Sequence, residues 1–334
     1  MSRLPTDEEF LVQLYEQFKD DEWIAIEERL TTSADAIAAA RMYIAEGSFT
    51  DDQFDDLVDA IRESTSPTLY FRGDYINFLR QVALRAAGRH IDRLKDIPVG
   101  CLPTRLLNAA AFRTPRGGAV IVLDHGVIFH LGMLVRSYVA WRSWRAPDPY
   151  CRDHSQDNFA RTILLLAHFS VSGDGKYLRD ITTWRCPSLP MHDELVEGLA
   201  LGIELFIMLH EFGHIALNHL ARIRPVMLIT QPSTELSIYT NSEKQEFEAD
   251  EFAFRHYGTI RRRLDDVAFG CGLLFHFFNL CELISPSLPN EPRTHPPALQ
   301  RWEKIKGYVD LSRYPGSWAN YIDEEFAILG RCVS

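Results

Sequence analysis

The sequence predicts an α+β fold that is mainly α, with helices surrounding a small β-hairpin. Three observations lead there. Apolar residues recur at helical spacing through most of the chain. One stretch, 106–123, reads instead as two short strands around a glycine-rich turn. No internal repeat or low-complexity tract points to a solenoid, and 334 residues leave room for two compact units or one large unit with an appended region.

Taken in order, residues 6–64 read as three or four short amphipathic helices. Asp7 is the expected cap of the first, which carries Phe10, Leu11, Leu14 and Phe18 on one face. Ser33 starts another through Ala45, closed by Gly47, and Thr50 starts one over 51–62. This acidic helical region, taken to residue 95, reads as a packing subdomain. Binding of a partner protein or positioning of a substrate are the alternatives. Leu106 to Phe112 and Ala119 to Leu123 form the hairpin around Pro115-Arg116-Gly117-Gly118. A helix is expected over Val127 to Trp141, a loop over Ser170 to Asp180, and a long helix over Met191 to Ile223 that ends before Pro225. Residues 225–240 read as a linker on the site side that could act as a lid. Helices near 241–257, 260–284 and 296–306 follow.

Composition narrows the function. Hydrophobic content of 46% with 24% charged residues is that of a globular protein, and a net charge of −11 argues against general nucleic-acid binding. Gly173-Asp174-Gly175-Lys176 lacks the spacing of a phosphate loop. The amino terminus has no apolar signal core. Val267 to Ile284 is the most hydrophobic stretch, but it holds His276, Asn279 and Glu282, so a buried helix is expected rather than a membrane span. Cys101, Cys151, Cys186, Cys271, Cys281 and Cys332 show neither metal-binding pairs nor a dense framework, which suggests free thiols in a reducing cytoplasm.

His210-Glu211-Phe212-Gly213-His214 is the segment with the most chemistry in it. Helical residues advance by about 100° each, so the two histidines sit about 40° apart on one face and can share one divalent ion. Glu211 then lies beside the open metal position, where a general base for a bound water belongs. A catalytic zinc ion wants three protein ligands. In one class of enzymes the third is a histidine shortly after the motif, but here Leu217 and Leu220 occupy the glycine and histidine positions of that pattern. His219, nine residues after His210, would point about 180° away on a continuous helix, and reads as a surface or helix-end residue. The other class takes a glutamate from a second helix. Glu246 and Asp250, four residues apart on one face, suit that role, with Phe247, Phe252, Ala253 and Phe254 packing inward. Glu246 would bind the metal. Asp250 would accept the free ring N–H of a ligand histidine, most simply His210. Glu248 and Glu251 are expected in solvent.

At these residues the chain resembles the gluzincin metallopeptidases, and within them the CAAX-prenyl-protease and HtpX-like family. Asn108-Ala109-Ala110 followed by Pro115 to Val122 and Gly126 is similar to that family's substrate-side strand segment. Asp193-Glu194-Leu195 is similar to its acidic helix start, and Thr294-His295-Pro296-Pro297 with Arg301 to its Thr-His-Pro segment. The resemblance implies a zincin-like metallopeptidase domain over 96–334, interrupted by an insertion at about 131–190. It implies that His295 donates to the developing oxyanion and that Arg301 supports the substrate or the site carboxylates, with Tyr239, Tyr257 and His256 in reserve for the former role. It also implies that the hairpin's edge strand pairs with an extended peptide.

The expectation is a cytoplasmic zinc metalloendopeptidase acting on protein or peptide substrates. His210, His214 and Glu246 would hold Zn2+, and Glu211 would take a proton from the zinc-bound water. Two other readings stand beside it: a single-target protease-like regulator in stress response or phage exclusion, and a zinc-stabilised scaffold for protein binding without catalysis. Glu211 argues against the scaffold, since a structural site needs no base.

Overall fold

A computed structural model describes residues 3–19, 73–104, 107–144, 152–172, 190–222, 242–260, 264–284, 295–314 and 317–333. The expected helices at 33–45 and 51–62, the 225–240 linker, most of the 170–180 loop, Tyr239 and Thr294 lie outside the described residues. The described part is mainly α with one three-stranded sheet, the fold class expected from the sequence.

Helix α1 (Asp7–Phe18) buries Phe10, Leu11, Leu14 and Tyr15. Its cap is Thr6 rather than Asp7. The Thr6 hydroxyl accepts from the Glu9 amide while the Glu9 carboxylate accepts from the Thr6 amide, a reciprocal box that satisfies both free donors. Asp7 is thereby released to accept a hydrogen bond from the Thr114 hydroxyl at 2.6 Å, which ties α1 to the hairpin turn.

The hairpin is β2 (Ala109–Arg113) and β3 (Ala119–Asp124), antiparallel, with Ala111 opposite Ile121. Gly117 takes φ 85° in the connecting turn, a conformation a side chain would strain. A third strand, β1 (Val99–Leu102), runs parallel to β3 on its other side, giving the order β1-β3-β2. Strand β3 is central and wholly buried, whereas β2 is an edge strand with most of its residues half-buried.

The longer helices beyond α1 are α2 (Gly73–Ala87), α3 (His125–Trp144), α4 (Arg152–Ser172), α5 (Pro190–Ala216), α6 (Glu243–Ile260), α7 (Leu264–Ile284), α8 (Ala298–Lys306) and α9 (Ile322–Val333), of which α2, α3 and α5 pack on the sheet. Helix α5 is the hub and packs against α2, α3, α6, α7 and β2. Leu131, Leu134, Val135 and Tyr138 of α3 and Ile163 and Leu166 of α4 join the same apolar core as Phe206, Leu209 and Phe212 of α5. At the carboxyl end Asp323 of α9 accepts from Trp302 Nε1 at 2.6 Å, Lys306 Nζ at 2.8 Å and His276 Nε2 at 2.8 Å, so one side chain fastens α9 to α7 and α8.

Two helical windows, Gly198–Ala216 and Asp266–Ile284, are long and apolar enough to cross a membrane, and most of each is buried inside the protein. Helices α5 and α6 pack closely at the site. A Cβ on Gly213 of α5 would fall 3.1 Å from the Ala249 Cα of α6, tighter than ordinary van der Waals contact, so a larger residue there requires the helices to give.

Candidate metal centre

Local rules set each wall of the site. Helix α6 begins with a reciprocal cap. The Ser242 hydroxyl accepts from the Gln245 backbone N–H and the Gln245 side-chain Oε1 accepts from the Ser242 backbone N–H, which places Glu246 in the first turn. Pro296 and Pro297 cannot continue a helix from the preceding chain, and α8 starts directly after them. The first free donor of α8, Ala298 N–H, is met by Glu282 Oε1 of α7 at 3.1 Å. This holds His295 and Arg301 against α6.

The structure brings His210, His214 and Glu246 together with all three side chains buried. His210 Nε2 and His214 Nε2 are 3.1 Å apart. Glu246 Oε2 lies 3.3 Å from the first and Glu246 Oε1 3.4 Å from the second. Three ligands about 2.0–2.1 Å from one ion in tetrahedral geometry would be about 3.3 Å apart, so these separations suit zinc. Two further observations fit a cation. Glu246 Oε1 is buried without a hydrogen-bond partner, and an unmatched carboxylate oxygen in the interior is costly. With Nδ1 of each ring carrying the proton, the two Nε2 lone pairs face each other at 3.1 Å, an arrangement only a shared proton or a metal ion makes favourable. The donor set of two imidazoles and one carboxylate suits a divalent transition-metal ion.

Around this triad the electrostatics are strong. Burial works against a charged His210, but Asp250 and Glu246 outweigh it and raise its pKa to about 10. His214 is driven well below its ordinary value, by burial first and then by His210. Burial would raise Glu246, yet its contacts with His210 and His295 hold it well below the carboxylate range. Glu211 is buried beside the group and burial raises its pKa, while the backbone N–H of Ala111 on β2 donates to its carboxylate. A proton acceptor of raised affinity thus sits between the metal triad and the edge strand.

Asp250 Oδ1 lies 2.8 Å from His210 Nδ1. The contact is short but oblique, an ion-pair contact more than an aligned hydrogen bond. Arg301 grips the same carboxylate with Nε at 2.8 Å and an Nη at 2.7 Å, and its guanidinium lies over the Phe275 ring. Of the two supports open to it, Arg301 therefore takes the site carboxylate. It is buried, with its guanidinium on Asp250. Burial would raise Asp250, but Arg301 and His210 hold it down to about 2.

His295 is beside the triad and half-exposed, with Nδ1 2.6 Å from Glu246 Oε2. That contact engages one ring nitrogen with Glu246 and leaves Nε2 as the one available to a substrate oxygen. Of the reserve residues, the two described, Tyr257 and His256, make other contacts. Tyr257 packs its hydroxyl over Gly202, and His256 stacks on Phe252 while donating to its carbonyl.

His219 departs from the sequence reading. Helix α5 stops at Ala216, and Asn218 takes a left-handed backbone with φ 63° that asparagine tolerates well. The chain therefore folds back, and His219 is buried with Nδ1 3.0 Å from His214 Nδ1, on the side of that ring away from the triad. Its Nε2 lies 3.2 Å from Glu248 Oε2. Asn218 was the available signal, because an asparagine in the helix-stop position ends the helix before residue 219. Glu248 and Glu251 are also more engaged than expected: Glu248 pairs with His219 and Lys244, and Glu251 with Arg255 and the Tyr308 hydroxyl.

Comparison with known proteins bears on this segment. No curated protein and no solved structure matches the chain. Residues 187–320 match the family model described as Peptidase U49, a span containing every residue of the site from His210 to Arg301. That match supports a peptidase, an enzyme that acts on protein substrates.

Proposed function

We propose that this chain is a zinc-dependent metalloendopeptidase of the gluzincin type, with two histidines from one helix and a glutamate from the next as ligands. The observation carrying the proposal is the buried convergence of His210, His214 and Glu246 with Glu211 alongside. When bound, a zinc ion supplies Lewis acidity, making a water acidic near neutral pH and polarising the scissile carbonyl.

The chain's own groups do the rest. Glu211 accepts a proton from the attacking water and delivers it to the leaving amine, a role for which its burial and raised proton affinity suit it. As an imidazolium, with Nδ1–H on Glu246, His295 would donate Nε2–H to the carbonyl oxygen as negative charge builds there. Asp250, clamped by Arg301, fixes the ring of His210. Strand β2 is the edge of the sheet beside Glu211. An extended peptide added there would pair through backbone groups and place its carbonyl near the triad with little demand on sequence.

Glu211→Gln tests the reading. Compared with wild type in the same cells, it is expected to keep one zinc per chain while the new protein termini made by wild type disappear. A loss of activity of about 10²–10⁴-fold on a responsive peptide is the expected scale for removing a general base. One cleaved protein would mark a single-target regulator, many a broader protease. Full biological activity in Glu211→Gln would overturn the hydrolase and favour a zinc-stabilised scaffold.

A further inference from the structure

Both ligand histidines have a ring nitrogen turned away from the triad, and each meets a side chain there. For His210 that partner is Asp250. For His214 it is His219, and His219 in turn meets Glu248. We propose that His219 and Glu248 form an outer relay that orients His214 for the metal, so that His219 is a positioning residue of the centre. This inference rests on the metal reading above.

Hydrogen-bond direction decides the arrangement. To offer the Nε2 lone pair to a metal as a neutral imidazole, His214 must carry its proton on Nδ1. At 3.0 Å that N–H needs an acceptor, so His219 Nδ1 must be unprotonated. A neutral His219 then carries its proton on Nε2, where Glu248 Oε2 accepts it at 3.2 Å. The other neutral tautomer of His219 would set two N–H groups against each other and turn a lone pair toward a carboxylate. One tautomer satisfies every contact. Glu248 selects it, and His219 passes the selection to His214.

The anchoring differs between the two ligands. Asp250 is buried and clamped by a buried arginine, while the Glu248 side chain is 43% exposed and its other oxygen is 3.5 Å from Lys244. The charge on Glu248 is therefore screened by solvent, and the relay works by orientation rather than by charge. His219 is itself buried, and its ring stands edge-on to that of His214 with centroids 5.2 Å apart, so packing and hydrogen bonding restrain the same ring. Asn218 makes this return possible by ending α5 one turn before a straight helix would carry residue 219 out of reach.

Three variants of the full chain separate positioning from packing: His219→Phe, His219→Asn and Glu248→Gln. Zinc affinity is read by competition with a chelator and melting temperature on the metal-free protein. The Nδ1 proton of His214 is followed by imidazole-selective NMR on the zinc form. His219→Phe is expected to weaken zinc binding at least about tenfold and to lose that proton signal to exchange, the scale seen when outer partners of ligand histidines are removed. His219→Asn keeps an acceptor near the Nδ1 position and is expected to recover most of the affinity, to within about threefold of wild type, with Glu248→Gln between the two. Unchanged affinity in His219→Phe would overturn the relay, whatever happens to the melting temperature. Equal losses of affinity in His219→Phe and His219→Asn would also overturn it, reducing His219 to a packing residue. A wild-type chain that binds no zinc is a different failure, which removes the metal centre and the relay together.

Discussion

Gly213→Ala is a sharp test of how the site is held together. A Cβ at 213 would sit 3.1 Å from Ala249 Cα, 3.3 Å from Ala249 O and 3.3 Å from Phe252 Cβ. Carbon atoms are comfortable at about 3.5–4.0 Å, so α5 and α6 must part by about 0.4–0.9 Å. Two stability effects then oppose each other: alanine gains about 1 kcal/mol over glycine inside a helix, and overpacking costs about 1–3 kcal/mol. The metal-free protein should thus lose between about 0 and 2 kcal/mol and stay folded. The site is less forgiving. His210 and His214 ride on α5 and Glu246 on α6, with ligand atoms 3.3–3.4 Å apart across the crossing. Metal–ligand distances tolerate about 0.2 Å, so zinc affinity should fall at least about tenfold, or 1.4 kcal/mol. Chelator competition gives the affinity, and urea unfolding of the metal-free form gives the stability. A variant that binds zinc within a factor of two of wild type would refute the claim that this crossing sets the ligand geometry.

Two further predictions concern buried charge. Arg301→Met leaves Asp250 in the interior with His210 but without its guanidinium and should cost up to about 3–5 kcal/mol of stability, because the buried carboxylate loses its one permanent cation. The double variant with Asp250→Asn should regain part of that loss in urea unfolding, and a loss under about 1 kcal/mol in the single variant would contradict the clamp. Asp124, buried at the end of β3, has its carboxyl pushed by desolvation from 3.8 up to about 7. The folded chain therefore holds a proton that the unfolded chain releases between those values, so stability is greatest below the lower one and declines as pH rises through the upper. The decline amounts to at most about 4 kcal/mol, from about 1.4 kcal/mol per pH unit. Asp124→Asn should remove this slope when melting temperatures of the metal-free proteins are compared from pH 4.5 to 8, and parallel profiles would contradict it.

What the sequence disclosed followed how local each signal was. His210 and His214 converge because four residues of helix put them on one face, and Glu246 and Asp250 repeat that spacing on the next helix. The hairpin was legible from its Pro-Arg-Gly-Gly turn and flanking apolar runs. Strand β1 was not: it is four residues between Pro98 and Pro103, and it exists as a strand because β3 pairs with it from across the sheet. The cap of α1 was placed one residue late, at Asp7, because Thr6 and Asp7 are both good cap residues. Glu9 settles the choice through its return bond to the Thr6 amide. His219 was misplaced for a related reason, since extending helical periodicity past Ala216 ignores the left-handed Asn218. Helix α9 was missed, and its place depends on long-range bonds from Asp323 to Trp302, Lys306 and His276.

X-ray absorption at the zinc edge of the purified protein reports the ligands of the bound ion directly. A single shell of nitrogen and oxygen at about 2.0–2.1 Å, with the outer scattering of two imidazoles, is the result expected from His210, His214 and Glu246. A sulfur shell at about 2.3 Å, or one histidine instead of two, would place the metal elsewhere and contradict the assignment of this centre.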